Sequence, residues 1–160
     1  MHLSSLISPE LIPFVQIVIA LLLGMILGIE RLIVGRTAGP RTYGLVSIGA
    51  CLMTIITVNA VGFLPKGFDP APMIASILTG IGFLGAGLII LQGSQLSGVT
   101  TAAGIWVAAI IGIAVGFKFF VLAFFTTFLT LFVFTIMWRV EHIIAKKFTA
   151  HFSTHPQDNE

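Results

Sequence analysis

The stretch PAPMIASILTGIGFLGAGLIILQGSQLSGVTTAAGIWVAAIIGIAVGF, residues 70–117, runs for 48 positions without an Asp, Glu, Lys or Arg. A helix crosses about 30 Å of hydrocarbon with about 20 apolar residues, so this stretch is too long for one membrane span and suits two. Its polar, glycine-rich segment QGSQLSG, residues 92–98, marks the break. The stretch therefore predicts two transmembrane helices, near residues 73–91 and 99–116.

Charge-free stretches also lie on both sides of this segment, and each is long enough for one span. They predict three more helices, near residues 11–29, 43–64 and 119–138. The predicted fold class is thus all-α, a polytopic bundle of about five transmembrane helices. We expect one membrane domain at residues 11–138, an external segment at residues 1–10, and a short cytoplasmic tail at residues 139–160 that is amphipathic and then disordered.

The composition excludes several classes of protein. Hydrophobic residues make up 57% of the chain and charged residues 9%, whereas about 25% of the residues in soluble domains are charged. A soluble enzyme and a disordered chain are therefore excluded, and a single cysteine, Cys51, excludes an intrachain disulfide framework. A net charge of +2 is too small for a nucleic-acid footprint. We therefore expect the chain to lie within a lipid bilayer.

The basic residues predict the orientation of the bundle. Cytoplasmic loops carry the excess of Lys and Arg, and five helices place the first loop and the C-terminal tail on the same side. Six basic residues fall on that side and two on the other: Arg31, Arg36, Arg41, Arg139, Lys146 and Lys147 against Lys66 and Lys118. We therefore predict an external N-terminus and a cytoplasmic C-terminus.

Small residues mark the helix faces that are expected to pack, because helices in lipid associate through close contact of small side chains. They follow a four-residue spacing in the first and fourth helices and crowd together in the third, where the run is either a packing surface or a locally opened helix that lines a site. The predicted packing glycines are Gly24, Gly28, Gly80, Gly82, Gly85, Gly87, Gly104 and Gly112. The fifth helix is rich in phenylalanine and is expected to face lipid.

Two acidic residues near helix ends are candidates for function, because charges inside a membrane are costly. Glu30 is either functional or a headgroup-level residue paired with Arg31, Arg36 or Arg41. Asp69 is either functional or the acidic start of the third helix, where the helix dipole favours it. The two carboxylates fall on opposite membrane faces, so we predict no metal site in one protomer. The sequence also shows no catalytic nucleophile–base set and no cofactor motif.

Three strings resemble, in order, the MgtC/SapB family of bacterial inner-membrane proteins: GIERLIVGRTAGPRTYGLVSIGA (residues 28–50), DP…GIGFLGAGLI (residues 69–89) and GVTTAAGIWVAAIIGIAVG (residues 98–116). The resemblance implies a role in growth at low Mg²⁺ and in the survival of pathogens inside macrophages, and a possible partner in the F-type ATP synthase. It implies a short member that lacks the C-terminal cytoplasmic domain of longer relatives. The functional positions that it implies are Glu30, Arg31, Arg41, Thr42, Asp69, Thr101 and Trp106.

Two hypotheses about function follow. In the first, the chain is a non-enzymatic protein of Mg²⁺ homeostasis that regulates another membrane complex, and an ion pair between Glu30 and Arg41 locks the first loop to the bundle. In the second, a homo-oligomer forms a transporter or channel for Mg²⁺ or another small solute, with Glu30 or Asp69 as its ionisable group.

Overall fold

The computed structural model describes residues 9–60, 69–92, 95–137 and 139–140. Within these ranges five helices are long and apolar enough to cross a membrane. They are α1 (Ile12–Ile33), α2 (Pro40–Ala60), α3 (Ala71–Leu88), α4 (Val99–Gly116) and a fifth span, Phe120–Met137, in which α5 (Phe120–Phe132) continues into a π-helical turn at Val133–Met137. A 3-10 turn at Pro9–Leu11 precedes α1.

The predicted all-α, five-helix membrane fold is confirmed. The direction in which the helices cross the bilayer stays a prediction, as does the division into an external segment, a membrane domain and a tail. Residues 1–8 and 141–160, which include Lys146, Lys147 and all four histidines, lie outside the described residues, as does Trp138.

The break predicted at residues 92–98 is more ordered than a loop. Two short strands, β1 (Ile90–Gln92) and β2 (Gln95–Ser97), pair antiparallel between α3 and α4, with Leu91 opposite Leu96. Gly98 follows at a φ of +89° and begins α4. A left-handed backbone favours glycine, which lacks a Cβ. The hairpin therefore shortens α3 to end at Leu88, three residues before the predicted end at 91.

The core is built from α1, α2 and α4, with α2 between the other two. Ser47 of α2 lies at the centre of this arrangement, fully buried. A Cβ added at Gly24 of α1 would come within 2.8 Å of the Ser47 Cβ, and one added at Gly112 of α4 would overlap the Ser47 carbonyl oxygen. Glycine at both positions thus lets the two outer helices touch the backbone of α2, as close packing in lipid requires.

The third helix lies at the edge of this protomer. Gly85 is the buried residue of α3, and a Cβ there would meet the Ala102 Cβ at 3.6 Å, an ordinary contact. Among the described residues, no atom lies within 4 Å of a Cβ added at Gly80, Gly82 or Gly87. Within the described part of the protomer these three glycines therefore make no close helix contact, and Gly80 and Gly87 line open concavities that α2 also borders. Their role in packing stays a prediction.

One polar side chain from α1 completes the end of α4. Gln16, buried within the bundle, donates from its amide nitrogen to the carbonyl oxygens of Val115 at 2.7 Å and Gly116 at 2.8 Å. The last carbonyls of a helix lack partners within that helix, and the bilayer offers no water to replace them. Gln16 is therefore a cap supplied by a neighbouring helix.

Replacing Gln16 with leucine is expected to lower the free energy of unfolding by about 1–2 kcal/mol, since the buried Gly116 carbonyl loses its partner. Thermal unfolding in detergent micelles measures the effect. Asn59→Leu is the matched control, because that exposed amide bonds within its own helix, to the Ile55 carbonyl at 2.8 Å. Equal losses for the two variants would contradict the capping role.

Candidate functional site

The most polar part of the described bundle lies at the end of α1. Arg31 donates from Nε to the carboxylate of its neighbour Glu30, and the two form an ion pair. Only 3% of the Arg31 side chain and 13% of the Glu30 side chain are exposed. Charges are rarely buried unless they are paired, so both groups depend on this contact.

The turn after α1 fixes the position of this pair. Gly35 has a φ of +73°, its N–H donates to the Leu32 carbonyl at 3.0 Å, and the Arg36 N–H donates to the Arg31 carbonyl at 2.9 Å. This is the hydrogen-bond pattern of a Schellman motif, in which glycine is the preferred residue. The helix therefore stops soon after Arg31, with that side chain directed into the bundle.

An aromatic ring from the far end of the chain covers the guanidinium group. The Arg31 Cζ lies 3.6 Å from the centroid of the Phe134 ring, within the range of a cation–π interaction. Phe134 belongs to the π-helical turn that follows α5 and is 6% exposed. The expectation that the phenylalanines of the fifth helix face lipid is therefore wrong at Phe134, because the ring is held inside by Arg31.

Tyr43 connects α2 and α4 beside this cluster. Its side chain is fully buried, and its hydroxyl donates to the Thr101 carbonyl oxygen at 3.2 Å. A Cβ added at Gly104 would overlap the Tyr43 hydroxyl and would lie 2.7 Å from the Phe134 Cζ. Gly104 is thus the position that admits both rings, and side chains from α1, α2 and the turn after α5 meet the backbone of α4 here.

The arrangement constrains the chemistry of the site. The Glu30 carboxylate already accepts from a guanidinium group, which neutralises its charge at close range. In the described ranges, no three His, Cys, Asp or Glu side chains lie together as metal ligands would. What the cluster supplies in this conformation is a charged, hydrogen-bonded junction of four chain segments.

Other residues that the sequence singled out lie apart from this junction. Arg41 and Thr42 are exposed at the start of α2, and Trp106 on α4 is 44% exposed. Glu30 pairs with Arg31, so the predicted Glu30–Arg41 ion pair is wrong: Arg31 is on the same helix and points inward, whereas Arg41 does not.

Asp69 is exposed, and its carboxylate accepts from the Ala71 N–H at 2.9 Å. A carboxylate at this place satisfies one of the free N–H groups at the start of a helix. The geometry matches the second of the two interpretations given for Asp69, an acidic residue that starts the third helix.

Three residues of the core and the junction were not among the sequence candidates: Gln16, Tyr43 and Phe134. Gln16 stands out as the amide within an otherwise apolar span, and Tyr43 as the only tyrosine of the chain. An isolated polar side chain of this kind in an apolar span indicates a buried hydrogen bond, since a buried polar group needs a partner. Phe134 has no such signal, because six other phenylalanines surround it in the same span.

Comparisons with known proteins show which family the sequence resembles. The MgtC family model matches residues 17–143. SapB of Bacillus subtilis is 37% identical over 129 residues, which cover 78% of this chain and 55% of that protein. YhiD of Escherichia coli K12, named as a proposed magnesium transporter, is 31% identical over 137 residues, which cover 83% of this chain and 64% of that protein. MgtC of Brucella abortus is 39% identical over 97 residues, which cover 61% of this chain and 39% of that protein.

The fold and the buried junction define a multi-pass α-helical membrane protein. The family match extends from α1 to beyond α5, and on this ground the chain belongs to the MgtC family. It spans about half the length of the curated relatives SapB of Bacillus subtilis and its Haemophilus influenzae counterpart, 55% and 52% respectively. No solved structure matches the chain.

Proposed function

We propose that this chain is a non-enzymatic protein of Mg²⁺ homeostasis that acts by contacting another membrane complex rather than by conducting Mg²⁺ through its own protomer. The observation that carries the proposal is the backbone contact between helices at Ser47, where glycines of α1 and α4 close on α2 from two sides. Helices packed this tightly leave little room between them for a hydrated ion.

The charge distribution supports the same proposal. A Mg²⁺ ion is usually bound by one or two carboxylates together with waters. Glu30 is held by Arg31, and Asp69 accepts from the N–H at the start of α3. In the part of the chain that the structure describes, no cluster of three His, Cys, Asp or Glu side chains joins either carboxylate to form a cation site.

The link to Mg²⁺ rests on the family. MgtC of Brucella abortus and YhiD of Escherichia coli, which is named as a proposed magnesium transporter, are similar to this chain over most of its helices. The family resemblance also supplies the F-type ATP synthase as the candidate partner and the bacterial inner membrane as the location. We propose both for this chain.

The alternative is a transporter formed by several copies, and one feature favours it. The α2–α3 groove, an open apolar concavity of about 520 Å³ lined by Val46, Gly49, Met53, Gly80 and Leu84 among others, lies on the side where α3 exposes its glycines. A second copy seated there would bring helices together at an interface that a single protomer lacks.

Reconstitution in lipid vesicles distinguishes the two functions. Vesicles that contain the purified chain and enclose a Mg²⁺-sensitive dye are expected to show the same signal as empty vesicles when Mg²⁺ is added outside. Flux that rises with the amount of protein, and that Glu30→Gln abolishes, would establish transport and overturn the first proposal.

The regulatory part of the proposal has its own test. ATP hydrolysis by inverted membrane vesicles is expected to fall when the wild-type chain is produced in them, and purified ATP synthase is expected to retain the chain after crosslinking. Unchanged hydrolysis together with no crosslink would exclude this partner.

A further inference from the structure

The turn between α4 and α5 holds a lysine in a backbone conformation that suits glycine. Lys118 has a φ of +66°, and among the described residues it is the one non-glycine residue with a positive φ. Its N–H donates to the Val115 carbonyl at 2.9 Å, and the Phe119 N–H donates to the Ala114 carbonyl at 2.8 Å. These bonds form a Schellman motif, where the left-handed position is normally glycine.

The equivalent position after α1 is Gly35, so the same chain uses the less strained residue at the other turn. A side chain disfavours the left-handed conformation because its Cβ crowds the backbone. Such strain persists where the surrounding structure holds it, here through Gln16, which bonds the last two carbonyls of α4. Strained residues of this kind cluster at functional sites.

The Lys118 side chain lies at the rim of an open concavity of about 690 Å³. The other described residues that line it are apolar and come from the start of α5: Phe119, Phe120, Val121, Leu122 and Phe125. Phe125 is 61% exposed and Phe119 is 60% exposed. The Phe119 ring stacks on the Phe117 ring, with 6.2 Å between the two ring centroids. We refer to this concavity as the Lys118 pocket.

The position of the pocket matches the two parts of a phospholipid. Lys118 stands between two membrane-length helices and therefore lies where the hydrocarbon meets the headgroups. Its ammonium group complements a phosphate, and the phenylalanine wall that continues along α5 complements an acyl chain. Among the described residues that line the pocket, Lys118 is the charged one, so a headgroup with an ammonium of its own would compete with Lys118 for that phosphate.

From these observations we propose that the Lys118 pocket binds one anionic phospholipid, with the phosphate on Lys118 and an acyl chain along Phe125. This site is separate from the Glu30–Arg31 junction, which lies at the opposite end of α1 from Gln16 and the Lys118 turn. It also does not depend on whether the protein conducts Mg²⁺.

Native mass spectrometry of the full chain with added phosphatidylglycerol or phosphatidylcholine tests the proposal. The wild type is expected to prefer phosphatidylglycerol, and Lys118→Gln to lower its affinity about fivefold. Lys118→Arg is expected to retain the preference. Arg139→Gln is the matched control, because it removes one exposed positive charge beyond the other end of α5.

The apolar wall has a separate pair of variants. Phe125→Ala is expected to weaken phosphatidylglycerol binding, whereas Phe83→Ala, which removes an exposed phenylalanine of α3 outside the pocket, is expected to leave it unchanged. Equal binding by Lys118→Gln and wild type, or equal affinity of the wild type for the two lipids, would overturn the proposal in favour of a lysine that only reaches water at the interface. Displacement of the lipid by free glycerol phosphate would assign the site to the headgroup alone and also overturn it.

Discussion

Gly112→Ala is expected to lower the free energy of unfolding by about 3 kcal/mol, the upper part of the usual range for overpacking a core. The added methyl group would overlap the carbonyl oxygen of Ser47 and come within 3.1 Å of its Cα. These are backbone atoms, which cannot rotate away as a side chain can, so α2 and α4 must separate. Thermal unfolding in detergent micelles, followed by circular dichroism, measures the loss.

Gly82→Ala is the matched control, since it makes the same chemical change in a helix where, among the described residues, no atom lies within 4 Å of the new methyl group. Alanine is the better helix former, so this variant is expected to be neutral or slightly stabilised. If Gly82→Ala lowers the free energy of unfolding as much as Gly112→Ala does, the close contact with Ser47 is not the reason for glycine at position 112.

Arg31→Met is expected to destabilise the bundle by a similar amount, about 3 kcal/mol, because it leaves the Glu30 carboxylate without its partner in a largely buried place. The methionine keeps most of the length of the side chain beside Phe134, so the change reports mainly on the charge. Unfolding by sodium dodecyl sulfate provides the measurement.

The double variant Glu30→Gln with Arg31→Met removes both charges and is expected to recover most of the loss, since an uncharged pair leaves no uncompensated charge. Arg139→Gln serves as a comparison for removing one exposed charge. If the double variant is as unstable as Arg31→Met alone, the ion pair is not the source of the effect.

The helices could be predicted from sequence because a bilayer imposes a length and an exclusion of charge on every span. Residues 70–117 show this well: a charge-free run of 48 positions can only be two crossings, and a polar glycine-rich break falls between them. The hairpin in that break escaped prediction, since two three-residue strands carry too little pattern to be distinguished from a loop.

The neighbours of each helix were harder to predict than the helices. Glycine content suggested α3 as part of the core, but α2, with its mixture of serine, threonine, alanine and tyrosine, occupies the centre instead. Small polar side chains also allow close helix packing when they bond to their own helix, as Thr54 does to the Ala50 carbonyl at 2.8 Å. A count of glycines alone misses such a face.

The junction shows the same limit. Glu30 and Arg31 were recognised from a motif, yet which arginine would pair with Glu30 depended on where α1 stops and which way its last turn faces. Phe134 could not be assigned at all, because its contact with Arg31 joins residues that are about a hundred positions apart and follows from the packing of α5.

The bond between Gln16 and the end of α4 has a consequence for biosynthesis. The first crossing enters the lipid with an amide whose acceptors, 99 and 100 positions further along, have not yet been translated. At about 5–20 residues per second, the ribosome needs roughly 5–20 s to supply them. During that interval an unpaired amide in hydrocarbon is unfavourable. We therefore expect α1 to stay beside the insertion machinery until α4 has been synthesised.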